Sequence, residues 1–157
     1  MLKKKLLHKQ PKQRKIHAAR AKAAGKKVMI VDDDNELLRE TQSLIMLQGY
    51  KTFVFSSGIS ALRMVQRIKP DIILLDIKMS GMDGFDVVEE LRRFPDISAI
   101  PVIFMSAFYT GKEHSILMNF FGIKARLVKP FNPSELLEKI EHVLKERELI
   151  EKKSANN

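Results

Sequence analysis

The sequence predicts an α/β protein whose core is a doubly wound sheet of five parallel strands. Short apolar runs alternate along the chain with longer segments in which apolar residues recur at helical spacing, and short loops join them. Polar residues with carboxylate, hydroxyl or ammonium groups directly follow four of the five runs, at the edge where open parallel sheets carry their chemistry. In the expected strand order, 2-1-3-4-5, strands one and three lie side by side.

Each predicted strand is a short apolar run that ends at a charged or turn-forming residue. The third is the most clearly bounded, because the run from Ile72 to Leu75 lies between Pro70 and a glycine-rich loop. Four apolar residues are too few for an independent helix, and Asp76 stands at the C-terminal end of the run. The five predicted strands comprise residues 28–31, 52–55, 72–75, 101–105 and 126–128.

Helical spacing of apolar residues predicts five helices. They comprise residues 36–48, 58–68, 85–94 and 111–121, and a last helix that begins after Asn132. Asn132 can cap that last helix, Pro133 suits its first position, and Glu135 stands three residues after the cap. In the second helix the residues predicted to face the core are Ile59, Leu62, Val65 and Ile68; in the last they are Leu136, Leu137, Ile140, Val143 and Leu144.

The charge of the chain is unevenly distributed. Residues 1–27 contain 11 of the 28 Lys and Arg residues and none of the 19 acidic residues. We therefore expect a basic N-terminal arm over residues 1–27, a mildly acidic domain over 28–148 and a polar C-terminal tail over 149–157. The arm is either a solvated tail or a segment that contacts a polyanion, such as nucleic acid or an acidic membrane surface.

Composition also excludes several classes of protein. The absence of Cys excludes a disulfide framework and a thiolate metal site. No apolar run approaches the roughly 18 residues of a transmembrane segment, and the basic N-terminus lacks the apolar stretch of a secretory signal. We expect a cytoplasmic protein with no transmembrane segment.

The residues that follow the strands have the chemistry needed for phosphoryl transfer to a carboxylate. Asp32 and Asp33 follow the first strand and Asp76 ends the third, so three carboxylates should meet and repel one another. A divalent cation removes that penalty, and oxygen ligands favour Mg²⁺. Ser106 and Lys129, after the fourth and fifth strands, supply a hydroxyl donor and an ammonium group.

Each of these residues also has a purely structural interpretation. A single aspartate after a strand commonly caps the next helix, but three in succession cannot all do so, and Asp34 or Asn35 suffices. Ser106 alone would be a turn residue, and Lys129 alone a surface lysine before a proline. The conjunction of these residue types, in order, at four strand ends favours a functional site.

Four segments resemble the response-regulator receiver domain of two-component signalling, which has a flavodoxin-like fold. They are VDDD at 31–34, LLDIKMSGMDG at 74–84, MSA at 105–107 and VKPF at 128–131, and the resemblance covers residues 26–148. It implies that Asp76 accepts phosphate from a phosphohistidine on a histidine kinase or phosphotransfer protein. It also implies that Asp33, Asp76 and the backbone carbonyl of Lys78 ligate Mg²⁺, with Asp32 acting largely through water. Ser106 and Lys129 would contact the phosphoryl group, and the Lys129–Pro130 bond would be cis.

The sequence departs from the family pattern at several positions. Ser80 stands where proline is usual, which we expect only to loosen the loop. Arg126 replaces an aromatic switch residue, and we expect it to face solvent, paired with Glu113 or another acid. Lys78 and Phe108 occupy two variable positions that flank the phosphorylation site, where we expect them to shield an aspartyl phosphate from water.

The leading hypothesis is a stand-alone receiver, similar to chemotaxis response regulators, that acts as a phosphorylation-controlled protein-interaction switch. Such a module is not an enzyme, except that it catalyses its own phosphorylation and dephosphorylation. The sequence does not identify its downstream protein target, and it is compatible with a homodimer as well as a monomer. A receiver cut from a longer regulator is one alternative. A haloacid-dehalogenase-type phosphatase is another, since Asp32 to Asn35 resembles that family's DxDN motif. However, its acidic motif after the lysine is missing, and Asp76 would be idle.

Overall fold

The protein is described by a computed structural model that covers residues 23–107 and 112–156, with the backbone alone for residues 112–114. This part of the chain contains five strands and five helices in strict alternation. The strands are β1 (Lys27–Val31), β2 (Lys51–Phe55), β3 (Ile72–Asp76), β4 (Val102–Ser106) and β5 (Ala125–Val128). The helices are α1 (Asn35–Leu47), α2 (Gly58–Ile68), α3 (Gly84–Arg92), α4 (Lys112–Phe120) and α5 (Pro133–Ala155).

The strands form one parallel sheet in the order β2-β1-β3-β4-β5, which confirms the predicted fold class. In its register, Val31 lies opposite Leu75, and Asp76 lies opposite Met105. The C-terminal ends of β1, β3 and β4 therefore meet at one edge of the sheet. We call this the carboxyl edge.

The core lies on both faces of the sheet, because β3 and β4 are buried along their whole length. On one face Met29, Ile73 and Phe104 pack against α2 and α3. On the other face residues of β1, β3 and β4 pack against α1 and α5, including Ile140. Central strands buried on both faces explain why β3 and β4 are continuous apolar runs.

The residues of α2 that face the core differ from the predicted ones at the N-terminal end of the helix. Ile59 was expected to face the core, but its side chain is 51% exposed. Gly58 occupies the inward position instead. A Cβ at this position would lie only 2.4 Å from Cγ2 of Val87 on α3, so the contact between the two helices leaves no room for a side chain. Neighbouring residues on a helix are about 100° apart, so the side chain of Ile59 is turned away from the face that Gly58 and Ala61 present.

Residues 23–27 pack onto the domain at the edge opposite the carboxyl edge. Ala23 is buried, and Lys27 donates its backbone N–H to Asp71 Oδ2 at 2.7 Å. The last helix reaches the same place, because Arg147 donates to the backbone carbonyl of Asp71 at 2.8 Å and Glu148 pairs with Lys26 at 3.0 Å. Helix α5 then continues through residues 149–155, the segment expected to be a tail.

None of the helices in the described part of the chain is long and apolar enough to cross a membrane. Most of the predicted basic arm, residues 1–22, lies outside the described residues.

Candidate functional site

The carboxyl edge brings together all the side chains that the sequence singled out for chemistry. Asp32 and Asp33 follow β1, Asp76 and Ser106 are the last residues of β3 and β4, and Lys129 follows β5. Asp32, Asp76 and Ser106 are the polar residues most deeply buried here, with 1%, 5% and 3% of their surface exposed. Asp33 is exposed to solvent. The site is thus a pocket with a buried floor and an open rim.

Three carboxylates share this pocket. Asp32, Asp33 and Asp76 each place an oxygen atom within 4.8 Å of the others, close enough for one cation to contact all three. Lys129 partly neutralises them, because its Nζ lies 2.6 Å from Asp32 Oδ2 and 3.1 Å from Asp76 Oδ1. In this structure the ammonium group therefore bridges the two buried carboxylates.

Burial and charge act in opposite directions on the two ends of this bridge. Burial is the largest effect on the pKa of Asp76 and raises it. The charge of Lys129 lowers this pKa, the charge of Asp32 raises it, and hydrogen bonds from Lys129 and the Lys78 backbone lower it. The net result is a raised pKa, because the effect of burial prevails. Burial alone would lower the pKa of Lys129, but the hydrogen bond and charge of Asp32, together with Asp76, raise it. Lys129 is therefore held as a cation, whereas the negative charge of Asp76 is poorly solvated.

The cap of α1 shows why the other aspartates are available for the pocket. Asp34 Oδ1 accepts hydrogen bonds from the backbone N–H groups of Glu36 and Leu37 at 2.9 and 3.1 Å. This confirms that Asp34 suffices as the helix cap. Asp32 Oδ1 in turn accepts the N–H of Asp34 at 3.0 Å, which fixes the direction of the Asp32 carboxylate.

Asp33 is held by a residue that sequence reasoning did not assign to the site. Its Oδ2 accepts the backbone N–H of Ser80 at 3.0 Å and the Ser80 hydroxyl at 3.1 Å. The expectation that Ser80 only loosens its loop is wrong, since Ser80 ties the loop after β3 to the loop after β1. The departure from proline at this position was the one signal in the sequence.

Gly84 is the second residue whose role was missed. The sequence places it only in a glycine-rich loop, but a Cβ at Gly84 would lie 2.6 Å from the backbone oxygen of Asp76 and 2.9 Å from the Cα of Ile77. Its N–H also donates to the Ile77 carbonyl at 2.8 Å, and Asp83 caps the helix that follows. Only glycine allows α3 to begin directly against the backbone that carries Asp76.

The remaining predicted features lie along β4 and β5. The carbonyl of Ser106 accepts the N–H of Lys129 at 2.9 Å, and the Lys129–Pro130 bond is cis, as the resemblance implied. Arg126 lies opposite Phe104 in the sheet and is half-buried, so it faces solvent only in part. Phe108 and the side chain of Glu113 lie outside the described residues, so their predicted roles stay predictions.

Comparison with known proteins assigns this fold and its acidic pocket to a family. Residues 28–141 match the response regulator receiver domain, and the chain belongs to that family. It is therefore a signalling module of the two-component type, in which control is exerted by phosphorylation. This match leaves the phosphatase alternative without support.

Individual relatives agree with this assignment. The chain is 32% identical over 117 residues to a probable transcriptional regulator, ycf29, of Porphyra purpurea, covering 74% of this chain and 56% of that one. It is 32% identical over 114 residues to the DNA-binding response regulator MtrA of Mycolicibacterium paratuberculosis, covering 73% of this chain and 49% of that one. The chain thus spans about half the length of these curated relatives.

Solved structures show the same fold. The chemotaxis protein CheY4 of Vibrio cholerae superposes with a TM-score of 0.72 at 29% identity, covering 76% of this chain and 99% of that one. A CheY-like receiver domain protein from Methanospirillum hungatei gives a TM-score of 0.72 at 29% identity, covering 78% and 96%. Both are nearly covered from end to end by the part of this chain that matches them.

Proposed function

We propose that Asp76 is the phosphoacceptor of this receiver and takes a phosphoryl group from a phosphohistidine on a histidine kinase or phosphotransfer protein. The observation that carries the proposal is the position of Asp76: buried at the end of β3, bridged by Lys129 and beside two further carboxylates. The other aspartates of the pocket have different duties, since Asp32 is hydrogen-bonded through both oxygens and Asp33 is bound by Ser80.

The pocket fits Mg²⁺, because its three carboxylates can contact one cation and supply only oxygen ligands. Asp33, Asp76 and the backbone carbonyl of Lys78 would hold the ion, with Asp32 acting through water. When bound, the ion neutralises charge on the oxygens of the transferred phosphoryl group.

The chain's own residues divide the remaining work of the transfer. An oxygen of Asp76 forms the new bond to phosphorus while the bond from phosphorus to the donor imidazole nitrogen breaks, and the nitrogen keeps the electron pair. Burial leaves the attacking carboxylate poorly solvated, so little water has to be displaced from it. Lys129, held protonated between Asp32 and Asp76, is placed to pair with the phosphoryl oxygens, and the buried Ser106 hydroxyl can donate to another.

The product, an aspartyl phosphate, would change the surface near the carboxyl edge and so alter binding of a downstream protein. The change starts where Ser106 leads into the loop after β4. In a cytoplasmic two-component pathway this surface is the output of the module.

Labelling with a phosphodonor tests the acceptor directly. The full chain, given acetyl phosphate and Mg²⁺, should take up about one acid-stable, base-labile phosphate, and Asp76→Asn should take up none, because the amide is not nucleophilic. Asp96→Asn, an exposed aspartate in the loop before β4, serves as the control and should label like the parent. Undiminished labelling of Asp76→Asn, or phosphate on Asp32, would refute the assignment.

A further inference from the structure

Two loops of the carboxyl edge are joined through a single carboxylate oxygen. Asp33 belongs to the loop after β1 and Ser80 to the loop after β3, 47 residues later in the chain. Both hydrogen bonds from Ser80, at 3.0 Å from its backbone nitrogen and 3.1 Å from its hydroxyl, end on Oδ2 of Asp33. The distance from the backbone nitrogen is that of an ordinary N–H···O bond, whereas the hydroxyl bond is slightly longer than a typical O–H···O bond.

The pair of bonds depends on the residue type at position 80. Proline, which is usual there in the family, has no backbone N–H and no hydroxyl, so it could make neither bond. Alanine would keep the backbone bond and lose the hydroxyl bond, and threonine would keep both donors. Position 80 thus offers a graded series of two, one and no donors.

The bonds restrict a side chain that is exposed to solvent. Asp33 is exposed, so its carboxylate would otherwise exchange among rotamers in water. With Oδ2 held by Ser80, the second oxygen stays available, and the carboxylate remains within the 4.8 Å cluster that it forms with Asp32 and Asp76. A cation that binds this carboxylate then causes a smaller loss of side-chain conformational entropy, which favours binding.

We propose that Ser80 is a positioning residue for the cation-binding carboxylate of Asp33 and that it raises the affinity of this receiver for Mg²⁺. The inference rests on the proposed Mg²⁺ site and deepens it. Hydrogen-bonding partners of metal ligands typically contribute 10- to 100-fold to metal affinity. Because this pair of bonds is exposed and its donors are neutral, the effect belongs at the low end of that range.

Calorimetric titration of the unphosphorylated full chain with MgCl₂ tests the proposal without any phosphoryl transfer. The dissociation constant should rise about 3-fold in Ser80→Ala and about 10-fold in Ser80→Pro, and it should be unchanged in Ser80→Thr. Ser43→Ala is the matched control, because Ser43 is also exposed and its hydroxyl donates to one carbonyl, that of Arg39, at 2.8 Å. This variant should bind Mg²⁺ like the parent.

A second measurement, made without metal, asks whether the bond itself exists. The amide hydrogen of Ser80 should exchange with solvent several-fold faster in Asp33→Ala than in the parent, since its acceptor is gone. Exchange that is equally fast in both chains would show that the contact is not formed in solution and would overturn the proposal.

The titration separates failure of this inference from failure of the proposed site. Unchanged or tighter Mg²⁺ binding in both Ser80→Ala and Ser80→Pro overturns the role of Ser80 alone. A parent chain that does not bind Mg²⁺ at millimolar concentration overturns the metal site and this inference together.

Discussion

Replacement of Gly84 by alanine is the sharpest test of how the fold positions the acceptor. The added Cβ would lie 2.6 Å from the Asp76 backbone oxygen, 2.9 Å from the Ile77 Cα and 3.2 Å from Cε1 of Phe104. Two of these three atoms belong to the backbone of the β3 end, so no side-chain rotation can relieve the overlap. The start of α3 and the end of β3 must move apart.

The distances set the size of the effect. Ordinary contact begins at 3.4 Å, so the two backbones must separate by about 0.8 Å. Overpacking of this kind costs about 1–3 kcal/mol, and the backbone origin of the clash favours the upper half of that range. The free energy of unfolding should therefore fall by about 2–3 kcal/mol, which lowers the Tm of a domain of this size by roughly 10 °C. A displacement approaching 1 Å at the acceptor should also slow phosphorylation by at least about 10-fold.

Thermal and urea unfolding, together with the rate of labelling from acetyl phosphate, measure both effects. Gly122→Ala is the control: Gly122 has a φ of +64° and nothing within 4 Å of its added Cβ. Gly122→Ala should lose only about 1–2 kcal/mol of stability, from backbone strain at a position far from Asp76. Its labelling rate should therefore equal that of the parent. If Gly84→Ala were no less stable than Gly122→Ala and labelled at the parent rate, the close approach of α3 to the acceptor would be wrong as an explanation.

Two further predictions concern the charge of Asp76 and the arm. Without Mg²⁺ at pH 7, Asp76→Asn should be more stable than the parent in urea, because burial raises the pKa of Asp76 and makes its charged form unfavourable in the folded state. Because the pKa of Asp76 is raised in the folded state, its protonation stabilises the parent chain fully below the unfolded pKa of 3.8, and this stabilisation is lost as the pH rises through the folded pKa. The difference in the free energy of unfolding between Asp76→Asn and the parent should therefore narrow as the pH falls toward 4. A difference that widens would contradict this prediction. Deletion of residues 2–22 should leave labelling of Asp76 unchanged, because Ala23 is the first buried residue described. A longer deletion, through residue 27, should destabilise the domain because it removes the contacts of Lys26 and Lys27. If the arm binds polyanions, the shorter deletion should abolish salt-sensitive binding to heparin, and binding that survives it would exclude the arm as the contact.

The fold and the main residues of the pocket could be predicted because both follow from local patterns. Buried parallel strands read as continuous apolar runs, and their C-terminal ends must lie at one edge of the sheet. Asp32, Asp76 and Lys129 could thus be assigned to one pocket from strand order alone. The alternation of short runs with helices predicts a doubly wound sheet, and 2-1-3-4-5 is one of the two common strand orders of such sheets.

The parts that could not be predicted depend on distances between segments remote in sequence. Glycines 58 and 84 read as turn or helix-start residues, and only the neighbouring Val87 and Asp76 show that they are required for close packing. Ser80 read as a weak substitute for proline, since no sequence pattern reveals that its two donors meet Asp33 across 47 residues. Lys129 was assigned to the phosphoryl group, and its bridge between two carboxylates appears only once the loops are in place.

The contacts of Lys26 with Glu148 and of Arg147 with Asp71 have a consequence for anything joined to this domain. They gather the chain entering at Ala23 and the second half of α5 at the same end of the sheet, the end where the strands begin. Five-residue strands separate that end from the acceptor by about 16 Å. A donor protein can thus approach Asp76 without meeting the point where the arm is attached. The arm is thus attached at one end of the sheet and the proposed acceptor lies at the other, so the attachment point itself does not obstruct the acceptor.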